Sequence, residues 1–343
     1  DGIVLRTLLR EALRKMSGTL DDPFESQVLV TGGSGFVGRA VCAGLSRRHL
    51  KFVGVQRKVG VSTPAAGFSR WVEIGDIGAD TDWSDALINV GSVVHLAARV
   101  HLLHDPDPEP LAAYRAVNVD GTLNLARQAA AAGVKRFVFV STVKVNGEYS
   151  APGSPFAESA APCPQDAYGH SKLEAEQGLR QICAETGMEF VIIRPPLVYG
   201  PGVKANFAAL MRAVQLGWPL ALGAVSNRRS LVALDNLADF IVTCATHPKA
   251  ANQTFMVSDG NDLSTTELVR GLAHAAGVPA RLMPVPVWAL EAGATLLGKR
   301  GEVRRLCGSL QVDISKARNL LGWTPPISVE EGLRRAVKGL PVP

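Results

Sequence analysis

From Gln27 to about Pro196 the chain alternates short, β-rich apolar runs with longer segments whose apolar residues recur at helical spacing. The runs Gln27–Val30, Phe52–Val55, Trp71–Ile74, Val93–Leu96, Phe137–Val140 and Phe190–Ile193 predict strands, and Phe36–Ser46, Leu111–Ala132 and Ala167–Thr186 predict helices. This alternation predicts a parallel sheet with helices on both faces, in which ligands sit at the carboxyl ends of the strands. After Pro196, prolines and glycines recur, and helical runs near 205–216, 235–246, 265–276 and 328–338 are separated by short apolar stretches. That change predicts a first domain at 27–196 and a smaller lobe at 197–343 that interleaves with it. The stretch Leu282–Leu297 comes nearest to a bilayer span, but Pro284, Pro286 and Glu291 interrupt it, so it predicts a buried helix of the smaller lobe.

The first 26 residues read as an N-terminal extension of helical pattern. Within 3–16, Val4, Leu5, Leu8, Leu9, Ala12 and Leu13 share one helical face, with Arg6, Arg10, Arg14 and Lys15 elsewhere. The segment lacks the apolar region and cleavage site of a secretory signal, and peripheral membrane contact through it is not expected.

Composition bounds the class without naming it. At 343 residues, 47% hydrophobic and 20% charged, the chain is long enough for one large domain with a smaller lobe. The net charge of +5 suits an anionic ligand, but the 36 basic and 31 acidic residues form no long block of one sign, which argues against a nucleic-acid partner. The five cysteines are far apart and in no C-x-x-C pair, so they read as reduced thiols of a cytoplasmic protein, and no metal site is expected.

The first strand runs into T-G-G-S-G-F-V-G, from Thr31 to Gly38. Closely spaced glycines between a strand and a helix form a phosphate turn, because backbone N–H groups and the helix N-terminus, here Phe36 and Val37, point at an anion. Gly32 permits the tight turn, Gly35 lets the backbone approach a pyrophosphate, and Gly38 lets the helix pack on the sheet. A dinucleotide is therefore the expected ligand. The second strand ends in Gln56-Arg57-Lys58, with no carboxylate for the ribose 2′-hydroxyl of NAD. Arg57, joined by Arg39, favours NADP(H), whose 2′-phosphate a guanidinium can pair, with NAD(H) as the alternative. Asp76 and Ile77 follow the third strand, where a carboxylate meets the adenine amino group, and Leu96, Ala97 and Ala98 end the fourth, small enough for the cofactor ribose to approach. His95 beside them reads as a core histidine with no catalytic role.

The sharpest chemical signal is Tyr168-Gly169-His170-Ser171-Lys172 at the start of a predicted helix. A spacing of four places Tyr168 and Lys172 on one face, where the ammonium is expected to favour the phenolate and lower a pKa that is about 10 unperturbed. A tyrosine so tuned exchanges a proton with a sugar or alcohol oxygen near neutral pH. The fifth strand ends in Ser141-Thr142, which puts a hydroxyl at the same sheet edge.

These motifs resemble the extended short-chain dehydrogenase/reductases, in the branch of nucleotide-sugar epimerases and dehydratases. The resemblance spans roughly 27–335 and includes G-D-I, H-L-A-A, N-V-D-G-T-L-N-L at 118–125, R-P-P-L-V-Y-G-P-G at 194–202 and D-I-S-K-A-R-N-L-L-G-W at 313–323. It implies a Rossmann-type, doubly wound α/β parallel sheet with a smaller mixed α/β substrate lobe. By resemblance, Thr142 polarises the sugar oxygen, Tyr168 is the acid/base, and Lys172 holds the nicotinamide ribose. Asn118 matches an asparagine at a kink of the fourth helix, and Val198 lies near the nicotinamide amide. In the lobe, Asn206 and Arg229 match residues that meet the diphosphate of a UDP-hexose. Arg304 or Arg305 matches a second phosphate or uridine contact. Helices around 111–132 and 167–186 match those of a four-helix homodimer contact.

Departures from the family's variants narrow the reaction. Dehydratases resemble T-D-E at the fifth strand end, where this chain has Thr142-Val143-Lys144, and Cys163 is the one weak candidate for the extra proton transfer of a C3 or C5 epimerase. Hydride transfer at C4 remains. Arg57, and Leu197 where 4-epimerases often carry asparagine, lean the reading to a 4-ketoreductase of a UDP-4-keto-6-deoxy-N-acetylhexosamine. The alternative is a UDP-glucose or UDP-N-acetylglucosamine 4-epimerase. A non-catalytic NADP-binding sensor and a hydroxysteroid or flavonoid-type reductase are more distant readings.

Overall fold

The computed structural model describes residues 27–57, 70–100, 109–151, 153–296, 298 and 300–339. The extension at 1–26, with its amphipathic pattern, and Lys58 lie outside the described residues. β1 (Gln27–Thr31) leads through the glycine turn into α1 (Phe36–Arg47), followed by β2 (Phe52–Gln56), β3 (Arg70–Glu73) and β4 (Val90–His95). Next come α2 (Pro110–Arg115), a π-helical turn (Ala116–Gly121), α3 (Thr122–Ala131), β5 (Arg136–Val140), a 3-10 turn (Val143–Val145), α4 (Ala167–Thr186) and β6 (Glu189–Arg194). The remainder comprises β7 (Leu197–Tyr199), α5 (Ala205–Gln215), β8 (Leu231–Ala233), α6 (Leu234–Thr246), β9 (Gln253–Met256), α7 (Thr265–Ala276), α8 (Val287–Leu296), α9 (Arg300–Cys307), α10 (Ser315–Leu321) and α11 (Val329–Lys338).

The main sheet has seven strands in the order β3-β2-β1-β4-β5-β6-β9, all paired in parallel, and β7 pairs with β8 in a second, two-stranded sheet. Strand order reverses at β1, between β2 and β4, which places the ligand crevice at the carboxyl ends of β1 and β4. Alternate side chains feed two cores. Val28, Val30, Val138, Val191 and Ile193 pack with Val41 and Leu45 of α1 and Phe240 and Ile241 of α6. Leu29, Phe137, Phe139 and Ile192 pack on the other face with Leu125 and Ala129 of α3 and Ala175 and Leu179 of α4. A third core joins Tyr199, Phe207, Met211, Leu268, Leu272 and Leu333 in the lobe.

Two predicted helices differ from the structure. The run Leu111–Ala132 is broken by the π-helical turn, which aims Asn118 inward and leaves Gly121 so close to Ile77 that an added Cβ would lie 2.6 Å from its side chain. The apolar stretch Leu282–Leu297 contains α8, but α8 is not a buried helix: Ala294 is its one buried residue. The reason is the chain's route. Leu282 is bridged to Leu220 before the prolines, and the lobe core is closed by α7 and α11, leaving α8 packed chiefly on α9.

Candidate active site

The glycine turn is closed by one backbone bond, Gly35 N–H to the Gly32 carbonyl at 2.9 Å, and Gly32 takes a φ of +66°. A Cβ on Gly38 would sit 2.0 Å from the Gly32 carbonyl oxygen, so only glycine lets α1 start this close to the turn. Gly35 caps α1 without a side chain, which leaves the first-turn amides of Phe36, Val37 and Gly38 available to an anion.

Behind the turn, Thr31 Oγ1 accepts the N–H groups of Leu96 and Ala97 at 3.1 and 3.2 Å and lies 2.7 Å from His95 Nδ1. Having accepted twice, the hydroxyl donates to Nδ1, and His95 Nε2 donates to Thr122 at 3.0 Å. Burial, and secondarily the charge of Lys172, pushes the His95 imidazole down to about 3. His95 is a neutral core histidine that fixes the exit of β4, where Leu96, Ala97 and Ala98 lie half-buried.

At the end of β2, Arg57 and Asp76 lie 3.9 Å apart, both exposed, and Ile77 turns back onto the core. Gln56, just before Arg57, was not singled out from sequence. It is buried, and its Nε2 has no hydrogen-bond partner. Its position at the strand end, where the ribose-reading residue belongs, was the available signal. A buried orphan donor beside a glycine cradle that a single Cβ would block fits a dinucleotide.

The other end of the crevice collects the predicted reactive groups. Thr142 closes β5 and caps the 3-10 turn, its Oγ1 accepting Lys144 N–H at 3.3 Å. Tyr168 opens α4, which starts because Asp166 Oδ1 accepts Gly169 N–H at 2.6 Å and ends at Gly187 in the left-handed region. Lys144 joins the two segments, its Nζ lying 2.5 Å from Asp166 and 3.2 Å from Glu148. Lys172, one turn beyond Tyr168, is buried with Nζ 4.2 Å from the Phe139 ring centroid, so it too reaches the end of β5. Asn118 ties the π turn to both neighbours, donating to Ser171 at 3.0 Å and to the Arg99 carbonyl at 3.1 Å while accepting Arg99 N–H at 2.9 Å.

The electrostatics correct one expectation. The Tyr168 phenol is held above its ordinary range, first by burial and then by Asp166 and Tyr114, whose ring centroid is 6.0 Å away. Lys172 does not lower it here, because burial pushes that ammonium itself down to about 7, against the pull of Glu176. Glu176 belongs to a buried network missed in the sequence: it accepts from Ser141 at 2.6 Å and pairs with Arg194 at 2.5 Å, and Arg194 donates to Asn146 at 3.0 Å. Its place one turn after Lys172 was the only signal.

In the lobe, Asn206 is exposed in the first turn of α5, whose cap Lys204 supplies no side-chain bond. Arg229 is half-buried and donates through Nη1 to the carbonyls of Arg305 and Gly308 at 2.8 and 2.9 Å. Burial lowers its pKa, opposed by Tyr149 and Glu148. Arg304 stacks over Tyr149 at 4.7 Å and lines a cavity of about 430 Å³ with Glu291, Arg300 and Gly301. Glu148 links this cluster to Lys144 and so to the Thr142 turn. Val198 is half-buried in β7. Tyr149 was missed because nothing local marks a tyrosine that an arginine in a distant helix will cover.

Residues 28–258 match the NAD dependent epimerase/dehydratase family. A Vibrio cholerae protein named UDP-glucose 4-epimerase is 47% identical over 321 residues, covering 93% of this chain and 97% of that one. An Escherichia coli O157:H7 protein named N-acetyl-alpha-D-glucosaminyl-diphospho-ditrans,octacis-undecaprenol 4-epimerase is 26% identical over 332 residues, 90% of this chain and 94% of that one. Among solved structures, MoeE5 in complex with UDP-glucose and NAD matches with a TM-score of 0.72 at 25% identity, over 92% of this chain and 98% of that one. With its glycine turn and tyrosine helix inside the matched residues, this chain belongs to the NAD dependent epimerase/dehydratase family, as an enzyme of the extended short-chain dehydrogenase/reductase type.

Proposed function

We propose that the enzyme is a 4-epimerase of a UDP-hexose. The observation that carries this reading is the composition of the reacting centre. Thr142 closes β5, Lys172 reaches Phe139 near the same strand end, the helix that Tyr168 opens is capped by Asp166, and the position that holds carboxylates in dehydratases is Lys144, already paired with Asp166 and Glu148. With no free acid pair there, water cannot be drawn from C5 and C6, and one carbinol carbon is left to react.

In this reading, the turn amides at Phe36, Val37 and Gly38 hold the pyrophosphate, and Leu96, Ala97 and Ala98 line the ribose. Gln56, Arg57 and Asp76 serve the adenosine end, with Gln56 Nε2 gaining the partner it lacks. NAD, when bound, would supply a reversible hydride acceptor for C4 and a ring charge that favours the Tyr168 phenolate. Tyr168 takes the 4-hydroxyl proton and gives it back, while Thr142 hydrogen-bonds the same oxygen and Lys172 orients the ribose. Asn206, Arg229 and Arg304 receive the diphosphate and uridine, and Asn118 keeps the Tyr168 helix in register with the exit of β4. The Vibrio cholerae relative, similar over nearly its whole length, supports epimerisation.

One observation favours a second reading, the NADPH-dependent 4-ketoreductase. Arg57 follows Gln56 at a β2 end with no carboxylate, a pattern that suits a 2′-phosphate. The two readings separate in one experiment. UDP-glucose or UDP-N-acetylglucosamine with NAD⁺ should yield the 4-epimer with no net cofactor change. Absence of epimer, together with loss of NADPH absorbance on a UDP-4-keto-6-deoxy-N-acetylhexosamine, would replace the first reading with the second.

A further inference from the structure

The lobe presents an apolar surface that the catalytic reading does not use. α8 leaves Trp288, Glu291, Ala292, Thr295 and Leu296 exposed at helical spacing, with Trp288 73% and Leu296 89% exposed. The same region carries Met283 at 44% and Trp218 at 60%. These segments are joined: Leu220 N–H donates to the Arg281 carbonyl at 2.8 Å, Met283 N–H to the Leu220 carbonyl at 2.8 Å and Gly223 N–H to the Met283 carbonyl at 2.9 Å. Apolar side chains from α5's exit, the paired segment and α8 thus belong to one part of the lobe, and large exposed apolar patches mark interaction sites.

Charge identifies the occupant. Arg212, Arg281 and Arg300 are exposed in these segments, and over 204–223 and 278–307 the sequence sets seven Lys or Arg residues against two carboxylates, Glu291 and Glu302. We propose that α8 and its surroundings dock on an anionic lipid bilayer, with Trp288 and Leu296 entering the headgroup boundary and the arginines meeting lipid phosphates. A ten-residue helix is about 15 Å long, half of a hydrocarbon core of about 30 Å, so α8 lies in the plane of the interface and does not cross it. Tryptophan, amphipathic and enriched at membrane interfaces, suits this position, as does a basic rim beside anionic headgroups. The attachment is independent of residues 1–26 and of which sugar the enzyme transforms.

The full chain is mixed with vesicles of phosphatidylglycerol and phosphatidylethanolamine, and separately with phosphatidylcholine alone, and pelleted. The expected result is binding to the anionic vesicles that weakens with salt, and a loss of about tenfold or more in partitioning for Trp288→Ser/Leu296→Ser. Arg212→Glu/Arg281→Glu should also lose binding. Both variants should keep the parent's melting temperature and turnover on a UDP-sugar, since the four side chains are exposed. Brominated lipid should quench the parent's tryptophan fluorescence, and less so in Trp288→Phe. A parent chain that ignores anionic vesicles, or a Trp288→Ser/Leu296→Ser variant that binds them equally, overturns the proposal. So does a parent that ignores vesicles but forms a dimer that this variant abolishes, which would assign the face to a second copy of the chain.

Discussion

Replacing Gly38 by alanine tests the phosphate turn at its tightest point. The added Cβ would lie 2.0 Å from the Gly32 carbonyl oxygen, 2.7 Å from Gly33 Cα and 2.8 Å from the Gly32 carbonyl carbon. Ordinary contacts of carbon with its neighbours begin at roughly 3.5 Å, so the turn and α1 must separate by more than about 1 Å. None of the three blocking atoms belongs to a flexible side chain, and the strain cannot be relieved by a rotamer change. A shift of that size carries the first-turn amides away from a pyrophosphate. Losing two charge-assisted hydrogen bonds at about 1.5 kcal/mol each costs about 3 kcal/mol, or about 10²-fold in affinity. Titration calorimetry with NAD⁺ reads this directly, beside thermal melting to register the separate cost of overpacking, about 1–3 kcal/mol. Gly75→Ala is the local control, because a Cβ there meets nothing within 4 Å. Parent-like affinity in Gly38→Ala would show that the turn does not hold the pyrophosphate.

Three further outcomes follow from the site. Tyr168→Phe should fold normally and lose about 10²–10⁴ in kcat while NAD⁺ affinity holds, measured by coupled turnover and calorimetry; near-parent turnover would remove Tyr168 from proton transfer. Glu176→Ala strands the buried Arg194 guanidinium and unpairs Ser141, so it should cost about 3–5 kcal/mol in urea unfolding. His95, neutral when folded with its imidazole pushed down to about 3 from 6.5, binds fewer protons folded than unfolded; stability therefore falls as pH drops through 6.5 toward 3. Between pH 7 and 5 its share is about 2 kcal/mol, which His95→Gln should abolish from the pH slope of unfolding free energy.

The sheet was legible because its signals are local. Alternating side chains along β1, β5 and β6 serve two different cores, and α4 is bounded by its own cap Asp166 and by Gly187. The glycine turn and the Tyr168–Lys172 spacing were legible for the same reason. What escaped depends on neighbours remote in sequence. Within the π turn Asn118 bonds Arg99 and Ser171, partners remote in sequence, whereas periodicity alone continues the helix through it. The pKa of Tyr168 is set by burial, Asp166 and Tyr114, so a spacing rule that sees only Lys172 gets its direction wrong. The exposure of α8 follows from which helices close the lobe core, and an apolar run reads as buried until that competition is known.

The most direct test of hydride chemistry at C4 is isotopic. UDP-glucose carrying deuterium at C4 is incubated with the enzyme and NAD⁺ in ordinary water, and the product is read by NMR and mass spectrometry. Hydride transfer at C4 predicts a 4-epimer that keeps its deuterium at C4 with no solvent hydrogen incorporated there, and no product from Tyr168→Phe on the same timescale. Loss of the label to water, inversion at another carbon, or no 4-epimer at all would contradict it.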